Sequence, residues 1–150
     1  MKPMDIRIAQ IIIWDDKAFV PSKSRYRNGL FTSTEPVHVV NTTLTELVSV
    51  VQVILSAEPV LLPDPTREEV KVQQDLLPRV TGARTWKRLG QKGISYVIEQ
   101  SPKGILLEMS RLDAKGRWEF DPDKRRNFAP GTDLTTVIQA VLSDLETRPQ

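Results

Sequence analysis

The side chains available for catalysis are few. His38 is the only histidine and there is no cysteine, so thiol nucleophiles, disulfides and cysteine-ligated metals are excluded together. A general base needs a nucleophile or an orienting partner within hydrogen-bond reach. His38 stands among Val37, Val39 and Val40, and no pattern supplies either; a strand histidine facing solvent or a polar neighbour is the expectation. The carboxylates Asp121 and Asp123 lie in the charged segment DPDKRR, with Pro122 between them, and read as turn residues. Gly90 and Gly93 frame GQKG, which lacks the preceding strand, the spacing and the following Ser or Thr of a phosphate-binding loop. With no metal-ligand pattern and no cofactor motif, catalysis is the least favoured function.

Recognition is better represented. Residues 82–90 hold Arg84, Trp86, Lys87 and Arg88, and rings among cations suit a protein hot spot or single-stranded nucleic acid. Equally, Trp86 fits a core-plugging role while its neighbours stay wet. Arg25, Tyr26 and Arg27 precede Asn28-Gly29, and Arg125 and Arg126 close DPDKRR. Arg25, Tyr26, Arg27, Trp86, Lys87, Arg88, Arg125 and Arg126 are therefore the candidate partner-binding residues, against turn-tip solvation for the arginines. Net charge is +2, yet residues 79–126 carry 12 Lys or Arg against six Asp or Glu. Such asymmetry marks either a solvated sheet face or a surface for nucleic acid or an acidic partner.

These residues are carried by a mixed set of elements. Between Gly93 and Phe120, Ile94, Tyr96 and Ile98 alternate with Ser95, Val97 and Glu99, Ile105–Leu112 is nearly continuously apolar, and Trp118 and Phe120 alternate with Arg117 and Glu119. Ser101-Pro102-Lys103-Gly104 and Asp113-Ala114-Lys115-Gly116 separate them, so a three-stranded antiparallel meander is expected. Two-residue loops would set Ile98 opposite Leu107, and both Tyr96 and Phe120 opposite Met109; a bulge at each Gly would instead turn Leu106 and Leu112 to that face. The first register buries more apolar surface and is preferred.

Upstream, Ile6–Trp14 and Ala18–Val20 read as a hairpin turning at Asp15-Asp16, with Pro21 at a strand end or edge. Asn28-Gly29 is a strong turn signal, and Leu30–Val40 resumes extended character, broken or edged at Pro36. Thr43 and Glu46 form a capping box ahead of Leu44, Leu47, Val48, Val51 and Leu55 at helical spacing. The segment 58–65 holds three prolines and cannot be helical throughout; its apolar residues suggest a strap on the core. Thr66 and Glu69 open a short helix that must end before Pro78. Leu134, Val137, Ile138, Val141, Leu142 and Leu145 form one apolar stripe, with Thr132 as N-cap and Asp133 against the positive helix end. That helix is expected on the apolar face of the meander, beside the Thr43 helix.

The whole reads as one α+β domain over 1–150: an antiparallel sheet, built from the N-terminal hairpin region and the C-terminal meander, packed by two main amphipathic helices. The composition, 39% hydrophobic and 27% charged, is ordinary for a globular chain. Leu47–Ala57, the uncharged run of the first helix, is too short to span a bilayer, and Asp5 and Arg7 interrupt any signal-peptide core. A cytoplasmic location without membrane association is expected.

Three segments together carry a family likeness: KAFVPSKSRYRNGLFTSTEPVHVV, GARTWKRLGQKGISYVIEQ and RWEFDPDKRRNFAPGTDLTTVIQAVL. The chain resembles a group of small bacterial cytoplasmic proteins that includes immunity proteins of contact-dependent growth inhibition systems. The shared motifs are structural: a Val-Pro strand end, a Glu-Pro-Val turn into a strand, a Pro-Gly-Thr cap. The resemblance implies a non-enzymatic protein that binds a cognate toxin domain, often a nuclease, and neutralises it by covering or displacing its active site. Immunity proteins of nucleases are frequently acidic. This basic chain would use either an acidic contact surface on its partner or a local acidic patch such as Asp15-Asp16 or Glu68-Glu69. Nucleic-acid binding through 79–126 is the alternative. An exposed Trp14 or Trp118 on an open sheet face would favour a partner site there.

Overall fold

The computed structural model describes residues 6–112 and 118–148, without the side chains of Leu112 and Trp118. The elements in chain order are β1 (Arg7–Trp14), β2 (Lys17–Tyr26), β3 (Phe31–Asn41), α1 (Leu44–Ser56), β4 (Val60–Leu62), α2 (Arg67–Gln74), α3 (Leu76–Thr81), α4 (Trp86–Lys92), β5 (Ile94–Ser101), β6 (Gly104–Leu112), β7 (Trp118–Phe120), β8 (Arg126–Phe128) and α5 (Leu134–Thr147). The fold is α+β. One sheet runs β3-β2-β1-β5-β6-β7, with β4 added to β2 and β8 added to β6. The N-terminal hairpin and the meander are joined by antiparallel β1 and β5, from Arg7↔Gln100 to Ile13↔Ile94.

The turns follow their residues. Asp15 and Asp16 both take the left-handed conformation, φ 51° and 61°, which a two-residue hairpin loop requires. Pro102-Lys103 is likewise a two-residue loop, with Ser101↔Gly104, Ile98↔Leu107 and Tyr96↔Met109 in register. The third strand departs from expectation: Phe120 pairs with Ser110, not Met109. The register is moved by one from the expected pairing, and Phe120 stands 42% exposed instead of in the core. The expected Asp113–Gly116 turn lies outside the described residues.

Pro21 does not end its strand. It is buried inside β2, opposite Val37 of β3, and the register shifts between Pro21 and Ser22. Neither β1 nor β4 pairs with β2 at Pro21, so it does lie on a locally open edge of the strand. Pro36 lies in β3, the terminal strand of the sheet. The strap at 58–65 is a short parallel strand, Ser24↔Val60 to Tyr26↔Leu62. Val60 and Leu61 are 62% and 65% exposed, so it extends the sheet and does not cover the core.

Both main helices dock as the stripes predict. Leu47, Val51, Val137, Ile138 and Val141 are fully buried against Ala9, Ile11, Tyr96, Ile98 and Leu107 in one cluster. Thr43 caps α1 by accepting from Glu46 N at 3.4 Å; the Glu46 carboxylate accepts from Thr43 Oγ1 at 3.0 Å and Asn41 N at 3.4 Å. The N-cap of α5 is Asp133, not Thr132: Asp133 Oδ1 accepts from Thr135 N at 2.9 Å. The Thr132 hydroxyl is turned back on Ala129 O at 2.6 Å and is lost to the helix.

The opposite face carries a second, smaller cluster. Ile12 and Phe19 pack with Leu77, Ala83 and Leu89 of the α3–α4 region. The helix α2 opens with the expected capping box, Thr66 with Glu69, and ends before Pro78, which sits buried inside α3. The helix α4, capped by Thr85 accepting from Arg88 N at 3.2 Å, was not expected.

Candidate functional site

The β2 strand has a divided edge. On one side it pairs with β3; on the other, β1 pairs over Lys17–Phe19 and β4 over Ser24–Tyr26. Between those two stretches Lys23 sits at a fork. Its Nζ donates to Gln10 Oε1 at 3.1 Å and to Ser33 Oγ at 2.7 Å, and Gln10 Nε2 donates in turn to Ser95 Oγ at 3.1 Å.

Above this chain of polar groups an open groove of about 340 Å³ lies between β2–β3 and the α2–α4 helices, bordered by Lys23, Tyr26, Leu30, Phe31, Gln73 and Trp86 among others. Two separate sequence candidates, Tyr26 and Trp86, thus line one site. The buried Tyr26 hydroxyl donates to Gln73 Oε1, which Thr32 Oγ1 also reaches at 3.3 Å. The indole Nε1 of Trp86 donates to the Gln74 carbonyl, which leaves the ring 44% exposed beside the groove. Leu30, at the tip of the Asn28-Gly29 turn, is 65% exposed. Burial lowers the Lys23 ammonium from its usual range to about 8, because few water molecules solvate the charge.

The other candidates divide. Arg25 lies 5.1 Å over the Phe31 ring, at the groove. Arg27 is exposed, its N–H donating to Leu62 O at 3.1 Å. Lys87 is exposed, and Arg88 lies 5.9 Å over the Trp14 ring, bordering a polar hollow with Asp15 and Lys92. Trp14 is half-buried and shielded by this stacking. Arg125 and Arg126 fall at the far side of the sheet, where Arg125 pairs with Glu108 at 3.4 Å and Arg126 covers the Phe128 ring at 5.1 Å.

Part of the basic stretch is paired internally. Arg79 pairs with Glu35 at 3.2 Å, Arg111 with Glu119 at 2.9 Å, and Lys124 with Asp144 at 2.8 Å. Asp144 is a small hub: it accepts from the Tyr96 hydroxyl at 2.7 Å and Arg148 Nε at 2.6 Å as well. Burial opposes its ionisation, but the bonds from Lys124, Tyr96 and Arg148 outweigh it and hold the carboxyl below its ordinary range. The Tyr96 phenol is driven well above its own, first by burial and then by Asp144.

His38 is half-buried opposite Val20. Asp121 Oδ1 accepts from Asp123 N at 3.0 Å, the turn role expected of it. Among the described residues no three acidic or His side chains could hold a metal ion, and no helix is long and apolar enough to cross a membrane. Of the acidic patches, Glu69 is engaged at the α2 cap through Thr66 N at 3.2 Å.

Sequence reasoning missed Lys23, Gln73 and Leu30 as site residues. Lys23 is hidden in the polar run Ser22–Arg25, and only the fork of β2 explains its burial.

The fold has solved counterparts. A protein of unknown function from Neisseria meningitidis matches with a TM-score of 0.65 and 13% identity, over 96% of this chain and 98% of its own. A chain of a CdiA-CT/CdiI toxin and immunity complex from Yersinia pseudotuberculosis matches with a TM-score of 0.63 and 16% identity, over 92% of this chain and 96% of its own. No protein-family model and no curated protein matches the sequence. At these identities the likeness is one of fold.

Proposed function

We propose that this chain is an immunity-type binding protein of the cytoplasm, which neutralises the C-terminal toxin domain of a contact-dependent growth inhibition system by covering its active site. The observation that carries the reading is the end-to-end fold likeness to a chain of a toxin and immunity complex. The groove supports it independently. An exposed indole and an exposed leucine flank buried polar groups, the make-up of a protein hot spot. Nucleic-acid binding is less well supported, because Arg79, Arg111, Lys124 and Arg125 are each engaged by carboxylates.

Co-expression tests the reading. The C-terminal domain of the host's large secreted inhibition protein should arrest growth alone and not with this chain present, and the two should co-elute at high salt. Trp86→Ala should weaken the complex by roughly 30-fold or more, the loss typical of a central aromatic anchor. Growth arrest that this chain does not relieve, with no complex formed, would remove the proposal.

A further inference from the structure

Lys23 holds a charge without a counter-charge. Both groups its Nζ reaches, the Gln10 amide oxygen and the Ser33 hydroxyl, are neutral; among the described residues it is the one formally charged residue of the groove lining, Arg25 being stacked on Phe31 at the border. On the other side of the sheet Lys23 borders a hollow with Arg7, Glu35, His38 and Glu58. The carboxylates there are engaged elsewhere, Glu58 by Arg7 at 3.1 Å and Glu35 by Arg79 at 3.2 Å. An ammonium held among neutral groups is poorly compensated, and an arriving carboxylate would form a charge-assisted hydrogen bond with it. The flank is apolar: Leu30 and Trp86 are 65% and 44% exposed.

We propose that the groove receives an acidic side chain of a protein partner, its carboxylate on Lys23 Nζ and an adjoining apolar residue against Leu30 and Trp86. This deepens the protein-binding reading above and rests on it. The site contrasts with a nucleic-acid surface, where several cations in series neutralise successive phosphates; here a single ammonium lines the groove.

The full chain, isotopically labelled, is titrated with blocked Leu-Glu-Leu peptide, its Leu-Gln-Leu counterpart and an oligothymidylate strand, while the Lys23 ε-methylene and Gln10 side-chain amide signals are followed. The Glu peptide should move both signals and bind roughly tenfold tighter than the Gln peptide, by one charge-assisted contact; Lys23→Met should abolish the preference. Equal responses to both peptides, a preference that survives Lys23→Met, or a larger response to oligothymidylate would overturn the inference. A toxin domain bound equally by wild type and Lys23→Met would also overturn it while leaving the immunity reading intact. A Glu-specific, Lys23-dependent response in a chain that binds no toxin domain would support the groove chemistry and remove the immunity function.

Discussion

Replacing Lys23 by Met should make the protein more stable. The amine falls from 10.5 to about 8 on folding, which corresponds to about 3 kcal/mol against the charged form in the folded state. Removing it strands the Gln10 and Ser33 acceptors, at about 1 kcal/mol each. Lys23→Met should therefore gain about 1 kcal/mol near pH 7. The pH dependence gives the sharper check. Because the folded-state value lies below the unfolded one, the unfolded chain binds more protons between about pH 8 and about pH 10.5, and wild-type stability contributed by this group rises through that window. The penalty is fully present below it and gone above it. Urea unfolding of both proteins, from about pH 7 to about pH 10.5, should show the advantage of the variant shrink and reverse as the wild-type amine loses its proton. Variant and wild type differing by a constant amount at every pH, or a variant less stable near pH 7, would refute the account of Lys23 as a buried, uncompensated charge.

Three further variants probe the fold away from the groove. Gly104 has φ +136°, and a Cβ there would meet the Phe128 carbonyl oxygen; Gly104→Ala should cost about 2 to 4 kcal/mol in chemical denaturation and shift backbone NMR signals of β8. Asp144→Asn leaves Lys124 and Arg148 facing a neutral amide beside buried Tyr96. It should destabilise by about 2 to 4 kcal/mol, and the variant should lose the wild-type decline in stability at acid pH, which appears as the depressed Asp144 carboxyl takes up its proton. Changing Asp15-Asp16 to Asn-Gly keeps both left-handed turn positions with residues that prefer them, and should raise stability by about 0.5 to 1 kcal/mol in thermal unfolding.

How much of this was readable in sequence depended on whether the signal was local. The stripes of α1 and α5 and the Pro102-Lys103 turn fix their own geometry, and the register of β5 on β6 follows from the turn. The β8 strand, Arg126–Phe128, has no such signature: three residues show no alternation, and it is a strand only because the second edge of β6 is open to it at Ile105–Leu107. Helix α4 lacked an acidic capping partner, since Thr85 is followed three residues later by Arg88. Of the site, Tyr26 and Trp86 were singled out by residue type, but nothing in the 59 residues between them announces that α2 and α3 fold back to bring them to one groove. Lys23 was invisible because burial of a polar run is decided by distant strands.

The pairing of β1 with β5 also sets a clock on synthesis. Ile13 finds Ile94, so the partner of the first strand leaves the ribosome about 80 residues later, roughly 4 to 16 s at ordinary elongation rates. Until then the hairpin presents the open edge of β1, and Ile11 and Ile13 lack Tyr96 and Ile98, which share their cluster in the finished core. Non-local pairing of this kind slows folding and prolongs exposure of sticky surface. The nascent chain should therefore depend on chaperones far more than the completed protein does, and ribosome-bound fragments ending before about residue 100 should be bound by trigger-type holdases, while full-length chains released from the ribosome should not.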